Sequence, residues 1–172
     1  MALSQRREEA RIQIGFQEVS VQGLEEYKRL FRLVFQDIKS RQIKKASNEL
    51  LEGSWRLVNS VTALGLHEDV DDETKRNERL EFWRDFNLCW EALGQRQKEI
   101  TQMALKTGIW PGDMLSTDII TSLGDQLVAM CDILQTHGLV DYEMGIWEEQ
   151  ITHIFIECID LLARNRPKSR EF

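Results

Sequence analysis

The amino-acid sequence predicts an all-α fold, an antiparallel bundle of about five or six helices. Apolar residues recur at steps of three and four along most of the chain, while the strict alternation typical of strands is nearly absent. Only two prolines and ten glycines occur among 172 residues, which leaves room for long helices. The composition, 42% hydrophobic and 30% charged, is that of a folded domain. These observations predict a helical domain over 24–164.

The two ends of the chain are set apart from this domain. Residues 1–23 are predicted to contain a helix over about 4–14 and a connecting segment, FQEVSVQ, that is either extended or a helical turn. Residues 165–172 form a basic tail. The N-terminus lacks the apolar run of a signal peptide, and no segment approaches the roughly 18 uncharged residues of a membrane span. We therefore expect a cytoplasmic or nuclear protein with no membrane span.

The first two helices of the domain follow from two apolar stripes in different registers. The five-residue step between the stripes, from Ile38 to Ile43, predicts a break near Ser40, and Gly65 is expected to end the second helix. The stripes consist of Leu24, Tyr27, Phe31, Val34 and Ile38, and of Ile43, Ala46, Leu50, Trp55, Val58 and Val61.

The third helix is predicted over 73–107. Asp71 or Asp72 can cap its N-terminus, because a carboxylate accepts hydrogen bonds from the free N–H groups there. Gly108 is expected to end it. Its seam residues follow a three-four rhythm and comprise Trp83, Phe86, Trp90, Leu93, Gln97, Ile100 and Ala104.

Two further helices complete the predicted bundle. Pro111 and Gly112 interrupt the chain, Ser116 or Thr117 begins the fourth helix, and Gly138 closes it. The last helix is predicted over 142–164. The expected core comprises Phe31, Val34, Leu50, Trp55, Val58, Trp83, Phe86, Trp90, Leu93, Leu123, Leu127, Leu134, Trp147, Ile151, Ile154 and Cys158.

Charge and cysteine content narrow the classes of function. A formal net charge of -7 disfavours nucleic acid as the main partner, since such domains are usually basic. A local basic excess between Lys28 and Lys45 is typical of a solvated helix face; of the functional alternatives, an acidic protein partner fits best. The three cysteines have no disulfide or metal spacing and are expected to be reduced and buried.

The stretch WEEQITHIFIEC places Glu149, His153 and Glu157 at four-residue steps, a spacing that lets helical side chains share a metal ion. Winding the helix at about 100° per residue puts these three side chains opposite the apolar stripe. A di-metal bundle instead needs ligands that project inward from several helices. We therefore expect a solvated face, and predict no metal, no cofactor and no catalytic residue.

The predicted function is protein–protein interaction, as an adaptor or scaffold within a larger assembly. Apolar residues extend nearly all around the last helix, which indicates burial on more than one side. The partner is expected to be another protein or a second copy, although the N-terminal helix could cover the same surface. Two alternatives remain, a binder of a small apolar ligand between helices and an enzyme with a surface metal site. The predicted interface consists of Ile146, Phe155, Ile156 and Ile159, with Glu149 and Glu157 as a polar rim and Trp110 as a separate candidate.

Overall fold

The computed structural model describes residues 23–165, and every regular element in this range is a helix. The described part of α1 covers 23–39, and the other helices are α2 (Ile43–Asn59), α3 (Glu73–Thr107), α4 (Thr117–Gln135) and α5 (Glu148–Ala163). The predicted all-α class is confirmed. The predicted helix over 4–14, the FQEVSVQ segment and nearly all of the basic tail lie outside the described residues.

The predicted break between the first two helices lies where the apolar stripes change register. Ser40 N–H still donates to Gln36 O at 2.9 Å, and then Gln42 N–H reaches back to Asp37 O at 2.8 Å. Arg41 between them has a φ of 62°, a left-handed conformation that few residues other than glycine adopt. This corner turns the chain from α1 into α2.

The predicted end of α2 was wrong. The helix stops at Asn59, and residues 60–67 form successive turns in which Gly65 has a φ of 69°. Val61 and Leu66 in this segment are buried, so the apolar periodicity continues past the last regular helical turn. Periodicity alone does not separate a helix from a series of turns that buries the same face.

Both predicted ends of α3 are confirmed. The Asp72 carboxylate accepts a hydrogen bond from Thr74 N–H at 3.0 Å, and Gly108 adopts the left-handed conformation with a φ of 74°. The fourth helix likewise begins after Ser116, whose hydroxyl accepts from Ile119 N–H at 3.3 Å. These ends are local in origin, which is why the residue types indicated them.

The start of α5 also differs from the prediction, because the helix begins at Glu148 rather than near 142. The buried Asn87 of α3 sets this boundary. Its side-chain amide donates to Gly145 O at 2.8 Å and accepts from Trp147 N–H at 2.9 Å. Gly145 has a φ of 137°, and a Cβ there would lie 2.2 Å from the Leu139 carbonyl. The segment from 139 to 147 is therefore held as a loop against α3.

The core is organised around aromatic side chains of α3. Phe82, Trp83, Phe86 and Trp90 are buried in successive contact, with ring centroids 5.6 to 6.4 Å apart. Phe31 of α1 packs against one end of this row at 5.4 Å from Phe82. The predicted core residues are buried except Trp55 and Trp147, which are half-buried at its edge.

Helices α3 and α5 pack closely against each other. Gly94 allows it, since a Cβ at this position would lie 2.6 Å from Ile154 Cγ2. The Cys158 thiol donates to Gly94 O at 3.3 Å, and Lys98, one turn further along α3, pairs with Glu157. None of the described helices is both long enough and apolar enough to cross a lipid bilayer.

Candidate functional site

Two members of the predicted interface on the last helix are buried inside the protein. Ile146 precedes α5, is fully buried, and donates its N–H to Leu139 O at 3.0 Å. Phe155 is buried as well, with its ring 6.1 Å from that of Trp90. Both were predicted to contribute to an interface with a partner, but the protein itself buries them. Ile146 precedes the helix, so helical periodicity does not give the direction of its side chain. Phe155 is buried because Gly94 leaves space for its ring.

The other members of that predicted interface do not form a continuous apolar surface. Ile156 is 55% exposed, but Ile159 is half-buried against the core. Glu149 is exposed, and Glu157 pairs with Lys98. Ile156 is thus a single exposed apolar side chain, which is ordinary for a protein surface.

In the Glu149, His153 and Glu157 series, the first two side chains are exposed and Glu157 is half-buried and ion-paired. His153 Nε2 lies 3.0 Å from Glu157 Oε1, and the hydrogen bond from Lys98 is the main cause that lowers the pKa of Glu157. Among residues 23–165, no group of three or more histidine, cysteine or acidic side chains is placed to hold a metal ion.

Trp110 is half-buried in the loop that follows α3. It lines a shallow depression together with Met114, Leu115 and Leu162. Ile109, the preceding residue, lines a different and larger groove.

This larger groove is the candidate functional site. Its volume is about 910 Å³, and it lies between the C-terminal turns of α3, the loop that follows α3, and Arg41 at the α1–α2 corner. Ile109 and Met103 are 75% and 60% exposed, respectively, and are the two most exposed large aliphatic side chains of the described residues. The full lining comprises Arg41, Arg96, Glu99, Ile100, Gln102, Met103, Ala104, Lys106, Thr107, Ile109, Pro111, Gly112 and Asp113.

Buried polar contacts fix the loop that forms one wall of the groove. Gln97, which is fully buried, accepts from Leu115 N–H at 2.8 Å and donates to Leu115 O at 3.3 Å. The Asp113 carboxylate accepts from Ile43 N–H at 2.8 Å and from Lys44 N–H at 3.3 Å. Asp113 therefore caps the N-terminus of α2, and the two contacts hold the second half of the loop.

The backbone at Ile109 is also held. Thr107 Oγ1 accepts from Ile109 N–H at 3.2 Å and donates to Met103 O at 2.9 Å. An apolar side chain that is exposed on a fixed backbone loses little freedom when a partner covers it. The groove is accordingly pre-organised for contact.

The sequence carried a signal for this groove that was missed. Winding places Met103 about 100° away from the buried seam at Ala104, on a face otherwise rich in charged residues. Ile109 then follows Gly108 in a turn, where a large aliphatic side chain has no local reason to be. Neither residue marks a site alone, because their proximity depends on how residues 108–113 fold back.

The cysteine thiols are not poised for nucleophilic chemistry. All three are free and buried, and burial raises the pKa of each. For Cys158 it reaches about 11, so this thiol stays protonated at neutral pH.

The chain matches no protein-family model, and comparisons with curated proteins and with solved structures find no similar chain.

Proposed function

We propose that this chain is a protein–protein interaction domain, an adaptor or scaffold that acts within a larger assembly. The observation that carries the proposal is the apolar groove at the end of α3, where Met103 and Ile109 stand exposed on a fixed backbone. Interfaces are commonly centred on a few such apolar anchors inside a polar rim. The buried reduced thiols favour a cytoplasmic or nuclear location.

We also propose that consecutive helices of the bundle run antiparallel. Trp90 of α3 donates to Ser54 of α2 at 3.1 Å, and Asp113 beyond the end of α3 contacts the start of α2. Residue numbers thus fall along α2 as they rise along α3. Such packing leaves the α3 end and the α1–α2 corner on the same side of the bundle, where they form the groove together.

A small apolar ligand is the second candidate for the same groove. Its volume falls within the range of ordinary ligand pockets, roughly 300–1,000 Å³. The wall formed by α3 supports a protein partner better, because it presents a long helix face with charged residues on both sides rather than a deep enclosure.

Quantitative affinity capture from cells that produce the protein tests this function. The baits are the parent, Ile109→Asp in the groove and Ile156→Asp on α5, which is 55% exposed and serves as the matched control. We expect a defined set of proteins that the parent and Ile156→Asp retain and Ile109→Asp loses. Light scattering of each purified bait reports self-association. If the parent bait captures no protein that an unrelated helical bundle does not also capture, and the chain is monomeric, the proposed function is wrong.

A further inference from the structure

The charges around the groove are unevenly satisfied. Glu99 pairs with Arg96 at 3.1 Å, and both carboxylate oxygens of Asp113 accept backbone N–H groups of α2. Arg41 and Lys106 are exposed, and neither forms an ion pair with another residue in the described part of the chain. In a chain with a net charge of -7, the groove therefore presents two cations beside its apolar floor that have no ion-pair partner among residues 23–165.

We propose that the groove binds an acidic amphipathic segment of a partner protein. Apolar side chains of that segment contact Met103 and Ile109, and its carboxylates face Arg41 and Lys106. The inference rests on the proposed function and specifies the chemistry of the partner. Charge complementarity of this kind selects partners and orients them more than it adds affinity.

The dimensions of the groove fit a short helix. The α3 residues that line it run from Arg96 to Thr107, which corresponds to roughly 17 Å at about 1.5 Å per residue. A partner helix of about three turns covers that length. Apolar residues at steps of three and four would place one face on the groove and leave the other for acidic residues.

The conformation of Arg41 supports a role for its side chain at the rim. Its positive φ is unfavourable for a residue with a Cβ, and glycine is the residue that adopts it freely. Strain of this sort often accompanies functional positions. A glycine at this position would leave the mouth of the groove without a side chain, whereas Arg41 places a guanidinium group there.

Two synthetic peptides of about three helical turns test the proposal by fluorescence anisotropy. Each has leucines at steps of three and four; one carries glutamate at the remaining charged positions, and the other carries lysine there. We expect the parent protein to bind the glutamate peptide roughly tenfold more tightly than the lysine peptide, and higher salt to reduce this preference. Ile109→Asp should abolish binding of the glutamate peptide, whereas Ile156→Asp should leave it intact.

Charge variants separate the rim from general folding effects. Arg41→Gly removes the guanidinium and relieves the positive φ, so it should lower affinity for the glutamate peptide without lowering the melting temperature. The double variant Arg41→Glu with Lys106→Glu should reverse the preference in favour of the lysine peptide. A reversal of this kind cannot come from partial unfolding.

Four outcomes would overturn the inference. Equal binding of the two peptides, or binding of neither, would show that the groove does not select acidic segments. If a single-stranded DNA oligonucleotide binds as tightly as the glutamate peptide, Arg41 and Lys106 bind anions in general rather than an acidic protein segment. A parent dimer that Ile109→Asp dissociates would assign the groove to a second copy. Loss of captured proteins with Ile109→Asp can still be observed in each case, so failure here is distinct from failure of the proposed function.

Discussion

Protonation of Glu49, which lies beside Asp37 and Lys45, affects the stability of this fold. Lys45 Nζ lies 3.6 Å from Asp37 Oδ1 and 3.9 Å from Glu49 Oε1, and Asp37 is buried. Burial raises the pKa of Glu49, and the hydrogen bond and charge of Asp37 raise it further, whereas Lys45 lowers it. The folded state thus binds a proton at Glu49 more tightly than the unfolded chain does.

We expect Glu49→Gln to raise the melting temperature at pH 7. Because the pKa is raised in the folded state, stability is lost as pH rises from the ordinary value of 4.5 to the raised one. Glutamine has no charge, so the variant does not lose stability over this pH range. It also lacks the ion pair with Lys45, but that pair is partly exposed and contributes little to stability. Thermal melts at pH 7 and near pH 4 measure the effect, which should vanish at the lower pH. An equal gain at both pH values would contradict the titration argument; Glu52→Gln on the same helix is the control.

Trp90 and His153 mark the two extremes of side-chain burial. Trp90 is fully buried and donates to Ser54 Oγ at 3.1 Å, so Trp90→Ala should cost about 3–5 kcal/mol in the free energy of unfolding. His153 is exposed, and His153→Ala should cost under about 0.5 kcal/mol. Urea denaturation of both variants measures the difference. A Trp90→Ala protein as stable as the parent would mean that this part of the aromatic row contributes little to the core.

At the scale of helices, glycine positions control how closely the elements approach. Gly94→Val should destabilise the protein by about 1–3 kcal/mol, because the new side chain must enter the contact with Ile154 and Phe155. Gly124→Ala in α4 is the matched comparison, since its Cβ meets only Phe155 Cδ2 at 4.0 Å. That substitution should stabilise by roughly 0.5–1 kcal/mol through helix propensity. Denaturant midpoints test both signs, and a stabilising Gly94→Val would show that α3 and α5 are less tightly packed.

The helices could be predicted wherever their ends depend on neighbouring residues. Asp72, Gly108 and Ser116 act on their own turns, and the sequence indicated Gly108 and, to within one residue, the two N-caps. The start of α5 could not be predicted in this way, because it is fixed by Asn87 from 60 positions away.

The candidate site was less accessible to prediction than the helices. The sequence indicated a surface on the last helix from its apolar residues on all sides, but Ile146 and Phe155 are covered within the bundle. Ile109 and Met103 line the groove beside a loop that Asp113 and Gln97 hold in place, and these contacts join residues distant in the chain. Long-range polar contacts of this type leave no periodic pattern in a sequence.

Across the whole molecule, a few polar contacts join the bundle to the groove. The N-cap residue of α2, Gln42, makes no side-chain capping hydrogen bond, and Asp113 supplies the carboxylate from the loop after α3. Stability of α2 and the shape of the groove are therefore coupled through one side chain. Anything that fixes the loop should also protect the first turn of α2.

Asp113→Ala tests this coupling, because loss of the Asp113 charge and loss of the fixed loop should change peptide binding in opposite directions. Loss of the cap should cost about 1 kcal/mol in unfolding free energy and speed amide hydrogen exchange at Ile43 and Lys44. Removing a negative charge from the groove would by itself favour an acidic peptide. We nevertheless expect binding of the glutamate peptide to weaken, because a loosened loop must be ordered again on binding. Asp125→Ala on α4 is the control for charge elsewhere on the surface. If Asp113→Ala instead bound the peptide more tightly, electrostatics would outweigh the fixed loop, and the groove would owe its selectivity to its cations alone.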